Sequence, residues 1–186
     1  TDISHLNWTG RTDCRHISAV VRGTTLHNFY IPAGGDEPDI EKNPKFCHKL
    51  NFIAEMTKHF SQQQPSRSIL VGDLNIAPLA EDVWSTRQLR NTVSHTAIER
   101  ENLLALVEQG GWTDSVRAHF GPKEVLFSWW SYRARDWVTS NRGRRLDHIW
   151  VSRDLASKVE AVTIESAMRG AEKPSDHVPL TITLQP

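Results

Sequence analysis

Apolar positions change period several times along the 186-residue chain, and each change marks an element. Ile17 to Val21 and Thr24 to Ile31 are rich in β-formers and flank Arg22-Gly23, which predicts a hairpin. Phe46, Leu50, Ile53, Met56 and Phe60 recur at helical spacing behind Asn43-Pro44, an N-cap residue followed by proline at the first helical position. That stretch is an amphipathic helix packing on a sheet, with Lys45, Lys49 and Lys58 off its apolar stripe on a solvated face. Ser68 to Gly72 ends a short unbroken apolar run, the pattern of a strand buried on both faces. Ser94 or Thr96 caps a second helix carrying Ile98, Leu103, Leu104, Leu106 and Val107, ended by Gly110-Gly111. Trp112 to Val116 starts a further short helix, with Thr113 or Asp114 at its cap. Val125 to Trp130, Leu146 to Val151 and Val159 to Ile164 are predicted strands, and Val178, Leu180, Ile182 and Leu184 alternate into a last, half-buried one. Residues 1–14, Asp36 to Asn43 and the stretch through Glu81-Asp82-Val83-Trp84 are predicted loops. Strands outnumber helices in mixed order, so the fold class is α+β, sheets covered by helices. Residues 1–186 form a single domain by length, with no repeat or low-complexity segment.

Charge alters this picture little. Lys+Arg and Asp+Glu are both 22, so no global field draws the chain to a polyanion, and any such site is a local patch. Cys14 and Cys47 are too few for a disulfide framework and lack metal spacing. That favours a reducing compartment, taken here as a bacterial cytoplasm with association to the nucleoid. No run is long and apolar enough to span a membrane.

The candidate chemistry sits at strand ends. In Gly72-Asp73-Leu74-Asn75, Asp73 and Asn75 are two residues apart and project from one side of an extended segment. A carboxylate beside an amide suits a hard cation, or a phosphate with its attacking water; a strand followed by an Asx-stabilised turn is the plainer alternative. Tyr30, just before Pro32-Ala33-Gly34-Gly35, is either a packed core residue or a phosphate donor. Aromatics interleaved with arginine from Phe127 through Trp129, Trp130, Tyr132, Arg133 and Arg135 to Trp137 suit a surface that stacks on bases and pairs with phosphates, or an aromatic core strand with a solvated end. Arg142-Gly143-Arg144-Arg145 places three cations before the next strand, inside which Asp147 needs a partner, with a histidine the economical one. Ser175-Asp176-His177 adds an adjacent carboxylate and imidazole. Together these supply what phosphodiester hydrolysis requires: a metal site, a base for water and a donor to the oxyanion.

In these motifs, and in Tyr30-Ile31-Pro32, Phe127-Ser128-Trp129-Trp130-Ser131-Tyr132-Arg133 and Glu172-Lys173-Pro174-Ser175-Asp176-His177, the chain resembles the exodeoxyribonuclease III family of the endonuclease/exonuclease/phosphatase superfamily, from about Cys14 to the last strand. The resemblance implies a four-layer α/β/β/α sandwich of two mixed sheets, DNase I-like. It implies Mg²⁺- or Mn²⁺-dependent hydrolysis of DNA, 5′ to abasic sites and from 3′ ends of duplexes, by a monomer. It assigns Tyr30 and His177 to the scissile phosphate, Asp73 to the attacking water and Asn75 to orienting that water. Asp147 is assigned to orienting His177, and Asp73, Asn75 and Asp176 to the metal. Trp129 and Leu146 fall to the pocket for an extruded abasic sugar, Arg133 and Arg144 to the DNA strand. The family pattern also begins earlier, with strands bearing an Asn and a Glu ligand, neither present here. The expectation is therefore the C-terminal portion of the family chain, with little activity by itself and a tendency to self-associate.

Two other functions remain to be separated. A sphingomyelinase-like or inositol-phosphatase-like phosphoesterase shares the catalytic set, although Trp129 and the cluster Arg142 to Arg145 favour DNA over a lipid headgroup. A non-catalytic nucleic-acid-binding piece is the third reading.

Overall fold

The computed structural model describes residues 2–134 and 136–185, so Arg135 of the aromatic–arginine stretch lies outside the described residues. One six-stranded mixed sheet organises it. In chain order its strands are β1 (Ile3–Ser4), β2 (His16–Val21), β3 (Thr24–Tyr30), β4 (Ser68–Asp73), β5 (Trp112–Asp114) and β8 (Asp147–Ser152), arranged β1-β2-β3-β4-β8-β5. Neighbours are antiparallel except β3 and β4, which run parallel across the connection through α1 (Pro44–Gln63). Asn43 caps that helix as expected, its side chain accepting from the amides of Lys45 and Phe46. α1 lies beside α3 (Ala97–Gln109), which opens with a capping box of Thr96 and Glu99. The main core forms between these helices and one sheet face: Phe52, Ile53, Met56 and Phe60 meet Leu103, Leu106, Phe29, Leu70 and Trp150.

The remaining strands form two ribbons. β6 (Trp129–Trp130) pairs with β7 (Gly143–Arg144), and β9 (Val159–Ile164) pairs with β10 (Leu180–Leu184). β9 and β10 pack on α4 (Ser115–Phe120) through Val116, Leu126 and Val162. Short helices α2 (Thr86–Leu89) and α5 (Trp137–Ser140) lie in the connections.

Several local expectations change. Residues 1–14 are not all loop: Ile3 and Ser4 pair with Ala19 and Ser18, and Trp8 is buried against Phe29 and Phe52. Trp112 to Asp114 is an edge strand on β8, and the helix starts only at Ser115, with Asp114 accepting from the amides of Val116 and Arg117. Of Val125 to Trp130 only the last two residues are strand, because β7 offers a partner just two residues long. Val178 precedes the final strand and is buried between Phe127 and Trp130. The predicted loop through Glu81-Asp82-Val83-Trp84 holds a 3₁₀ turn at Ala80–Asp82 and runs into α2.

The largest correction concerns Lys49. It is fully buried, 0% exposed, not on a solvated face. Position 49 lies three residues after Phe46 and four before Ile53, so geometry puts it on the apolar stripe after all. The stem packs there and the ammonium reaches a buried carboxylate, Glu99, at 2.6 Å.

On the sheet face away from α1, the hairpin strands leave Ile17, Val21 and Leu26 exposed. The facing side of β2 buries polar His16 and Ser18, with His16 stacked on His27 and Phe29.

Candidate active site

Sheet register assembles the site. Tyr30 on β3 is the parallel partner of Asp73 on β4, and Asp73 is the antiparallel partner of Asp147 on β8. Residues opposite one another share a face, so three chemically active side chains stand in a row across three strands. Gly72 makes this approach possible. Its φ is +135°, and a Cβ there would collide with the carbonyl oxygen of Phe29.

Around Asp73 the backbone turns sharply. Asn75 takes a left-handed φ of +54°, its amide donates to Asp73 Oδ1 at 2.9 Å, and its Nδ2 donates to Asp73 Oδ2 at 3.1 Å and to the carbonyl of Ile31 at 2.9 Å. The Asx-type turn and the site are thus one structure. The amide that orients the carboxylate is locked between two strand ends.

His177 closes the site from the turn before β10. Its Nδ1–H donates to Asp147 Oδ2 at 2.7 Å, and its Nε2 lies 4.0 Å from Asp73 Oδ2. Asp147 Oδ2 also receives the hydroxyl of Ser128 at 2.7 Å, while that hydroxyl accepts from the amides of Leu146 and Asp147 at 3.0 Å each. Ser128 is fully buried and fixes the carboxylate that fixes the imidazole.

Two like charges across one register position leave a mark on Asp73. Burial raises its pKa, the charge of Asp147 adds to this, and the result is about 6 from an ordinary 3.8. For His177, burial acts to lower the pKa, but the hydrogen bond and charge of Asp147, with Asp73 and Asp176, outweigh it and raise the net value. Asp73, Asp147 and His177 also present ligand atoms that all lie within 4.8 Å of one another.

Asp176 is turned the other way. Its carboxylate accepts from the indole Nε1–H of Trp129 at 3.0 Å, and its carbonyl accepts from the amide of Trp130. Trp129 packs with Trp84 on the apolar cluster containing Leu146, Ala77, Val83 and Leu89. Arg144 stacks on Trp129, 5.4 Å to the ring centroid, and its Nη1 donates to Ser94 Oγ at 2.7 Å, so its guanidinium braces this wall. Arg142 covers Trp84 at 4.6 Å in the same manner. Arg133 lies on the exposed turn after β6 and pairs with no carboxylate among the described residues. Tyr30 is half exposed, with Arg15 over its ring.

Three residues essential to this geometry escaped the sequence reading: Ser128, Lys49 and Glu99. Arg145 was counted only as one cation of a cluster, yet it is fully buried. It forks onto Asp82 at 2.6 and 3.0 Å and reaches Asp114 at 2.8 Å, anchoring the start of β8.

Comparison with known proteins agrees with this architecture. The sequence pattern described as "Endonuclease/Exonuclease/phosphatase family" matches residues 20–177, and the chain belongs to that family. The fold is DNase I-like. Exodeoxyribonuclease III of Haemophilus influenzae is 31% identical over 163 residues, 84% of this chain and 60% of that protein. An AP endonuclease from Archaeoglobus fulgidus superposes with a TM-score of 0.88 at 27% identity, covering 98% of this chain and 70% of its own. A 3′ phosphatase from Neisseria, bound to a product DNA hairpin, gives 0.87 at 27% identity, covering 99% of this chain and 70% of its own. The chain therefore spans about three-fifths of the length of the Haemophilus relative.

Proposed function

We propose that this chain supplies the catalytic carboxylate and imidazole of a metal-dependent DNA phosphodiester hydrolase of base-excision repair, acting at abasic sites and 3′ ends of duplex DNA. The observation that carries this reading is the unit Asp147–His177–Asp73, with Nε2 of His177 left facing Asp73 at 4.0 Å. Asp147 engages Nδ1–H, so Nε2 is the nitrogen free to act toward a phosphate oxygen. The raised pKa of His177 favours the protonated, donating form. Asp73, held by two donors from Asn75, is the base for water, and Tyr30 is a second donor to the phosphate.

The donor set fits a hard divalent cation, Mg²⁺ or Mn²⁺. Asp73 and Asn75 with Asp176 would hold it on the family pattern; Asp73 and Asp147 are the carboxylates the geometry draws together. A cation held by these residues would supply neutralisation of the charge that develops on the phosphate. Trp129 and Leu146 would wall the pocket for the extruded sugar. Arg133 would meet the strand, and Arg144 would act there through the ring it braces. The relatives named exodeoxyribonuclease III and AP endonuclease support DNA as the substrate.

The test is cleavage of abasic duplex, intact duplex and a small phosphoester by this chain at matched Mg²⁺, with Asp73→Asn alongside. Low activity is expected of this chain by itself, with a preference for abasic duplex that Asp73→Asn abolishes. Preference for the small ester would move the chain to another branch of the superfamily. DNA binding without any cleavage would leave only the non-catalytic reading.

A further inference from the structure

Lys49 and Glu99 lie beneath the site, both fully buried, and neither figures in the reaction described above. Each of the three ammonium N–H groups of Lys49 has an acceptor. Nζ donates to Glu99 Oε1 at 2.6 Å, to the carbonyl of Asn75 at 2.8 Å and to the carbonyl of Ala33 at 3.2 Å. The two carbonyls belong to the segments just after Tyr30 and just after Asp73. The ammonium thus clamps together the two loops that carry the phosphate donor and the base. Gly34 allows it: at φ +91°, a Cβ there would press on Lys49 Cδ and on Val93.

Glu99 extends the clamp to the other wall. Its carboxylate accepts from the amides of Ser94 and Thr96 and from the Thr96 hydroxyl. Ser94 then accepts from Arg144, which stacks on Trp129. An unbroken chain of contacts runs from Asn75 through Lys49, Glu99, Ser94 and Arg144 to Trp129. A buried ion pair of this kind contributes little net stability relative to apolar replacements, so stability is not the main thing this pair supplies.

We propose that Lys49 and Glu99 are positioning residues, which hold Asn75 in its left-handed conformation and set the span between the Asp73 base and the Trp129 wall. This rests on the hydrolase reading for its consequence in activity, and its structural content can be measured without activity. Lys49→Met keeps the apolar stem and removes the three donors. Glu99→Gln keeps shape and removes the counter-charge. Val162→Ala, in the β9 core, serves as a destabilised control remote from the site.

The experiment is single-turnover and steady-state cleavage of abasic duplex by all three variants, together with heteronuclear NMR of the Asn75 side-chain amide. Lys49→Met is expected to lower kcat about 30- to 100-fold with KM within threefold, Glu99→Gln about tenfold, and Val162→Ala less than twofold. The Asn75 Nδ2 resonances are expected to shift and exchange faster in Lys49→Met and Glu99→Gln only. If they stay in place in a folded Lys49→Met or Glu99→Gln, or move equally in Val162→Ala, the positioning role is wrong. If the parent chain cleaves no DNA while the amide moves as expected, the hydrolase reading fails and the positioning role stands.

Discussion

Two polar clusters lie at neighbouring points of the central sheet and behave in opposite ways. Around Arg145 the charges alternate: Asp82 accepts from Arg145 and Arg117, Asp114 accepts from Arg145, and neutral His148 accepts from Arg145 while donating to the carbonyl of Ile76. Burial alone would raise the pKa of Asp82, but the two guanidinium groups hold it below its ordinary value. Burial, then Arg145, pushes His148 down to about 4. Around Asp73 the nearest formal charge across the register is another carboxylate, and the pKa goes up. Mutually satisfied opposite charges belong to the scaffold. Like charges forced together mark the place where something else, a proton or a cation, completes the balance.

Breaking each cluster should therefore give different readouts. The largest effect is expected from Arg145→Met, which takes a partner from both Asp82 and Asp114. The expected cost is about 3–5 kcal/mol in urea unfolding, because buried Asp82 is left with Arg117 as its counter-charge and partly buried Asp114 with backbone amides. Loss below 1 kcal/mol would show that water or rearrangement rescues them. Next come Asp73→Asn and His177→Ala, each expected to reduce abasic-site cleavage roughly 100- to 1000-fold, on the order of 3–4 kcal/mol of barrier. Near-normal cleavage by Asp73→Asn would remove it from the base role.

The same substitution sharpens the contrast through pH. Between about 4 and 6 the folded state keeps the Asp73 proton that the unfolded chain has released. Its contribution to stability therefore falls as pH rises through that window. Asp73→Asn should flatten this decline and stabilise the fold at pH 7 by about 1–3 kcal/mol, where Arg145→Met only destabilises. His177 has the same sign of linkage: its raised pKa contributes stability that is fully present below the ordinary imidazole range and is lost as pH rises through the raised value. Thermal unfolding of both variants from pH 4 to 8 checks this.

A subtler outcome concerns coupling. Asp147→Asn and His177→Ala should be strongly non-additive, since the 2.7 Å bond makes them one unit. Rate losses that multiply would contradict the pairing. The smallest effect is expected from Trp129→Ala, which should reduce preference for abasic over intact DNA by about tenfold while 3′-end digestion persists, because in the proposed pocket the ring would meet the sugar and leave the phosphate alone. An equal fall in both activities would reject the pocket assignment.

What was legible in the sequence follows from the range of the forces involved. Asn43-Pro44, the hairpin at Arg22-Gly23 and the buried run into Gly72 are local signals, and each element formed where its residues specified. Asp147 was identifiable as a carboxylate in need of a partner, and His177 is found 2.7 Å from it. Lys49 was misplaced although its spacing from Phe46 and Ile53 already sets it on the apolar stripe; what the sequence hides is its counter-charge, since Glu99, 50 positions away, reaches the same point only in the fold. Ser128 is silent for the same reason: its hydroxyl earns meaning only from Asp147 on a strand it does not join. Trp8 and the pair Ile3–Ser4 were lost among polar neighbours: the burial of Trp8 depends on the long-range fit against Phe29 and Phe52, and the pairing of Ile3–Ser4 on Ala19 and Ser18 of β2.

Gly72 has a consequence for how this site would look in a saturation-mutagenesis screen. Any side chain at that position strikes the Phe29 carbonyl and forces β4 away from β3, separating Tyr30 from Asp73. Every non-glycine variant would score as dead, alongside Asp73 and His177. A map of intolerant positions would then count a residue with no functional group as part of the chemistry. The spacing between the tyrosine hydroxyl and the carboxylate is the quantity such variants alter, and the site's tolerance for error there is set by the absence of a single methyl group.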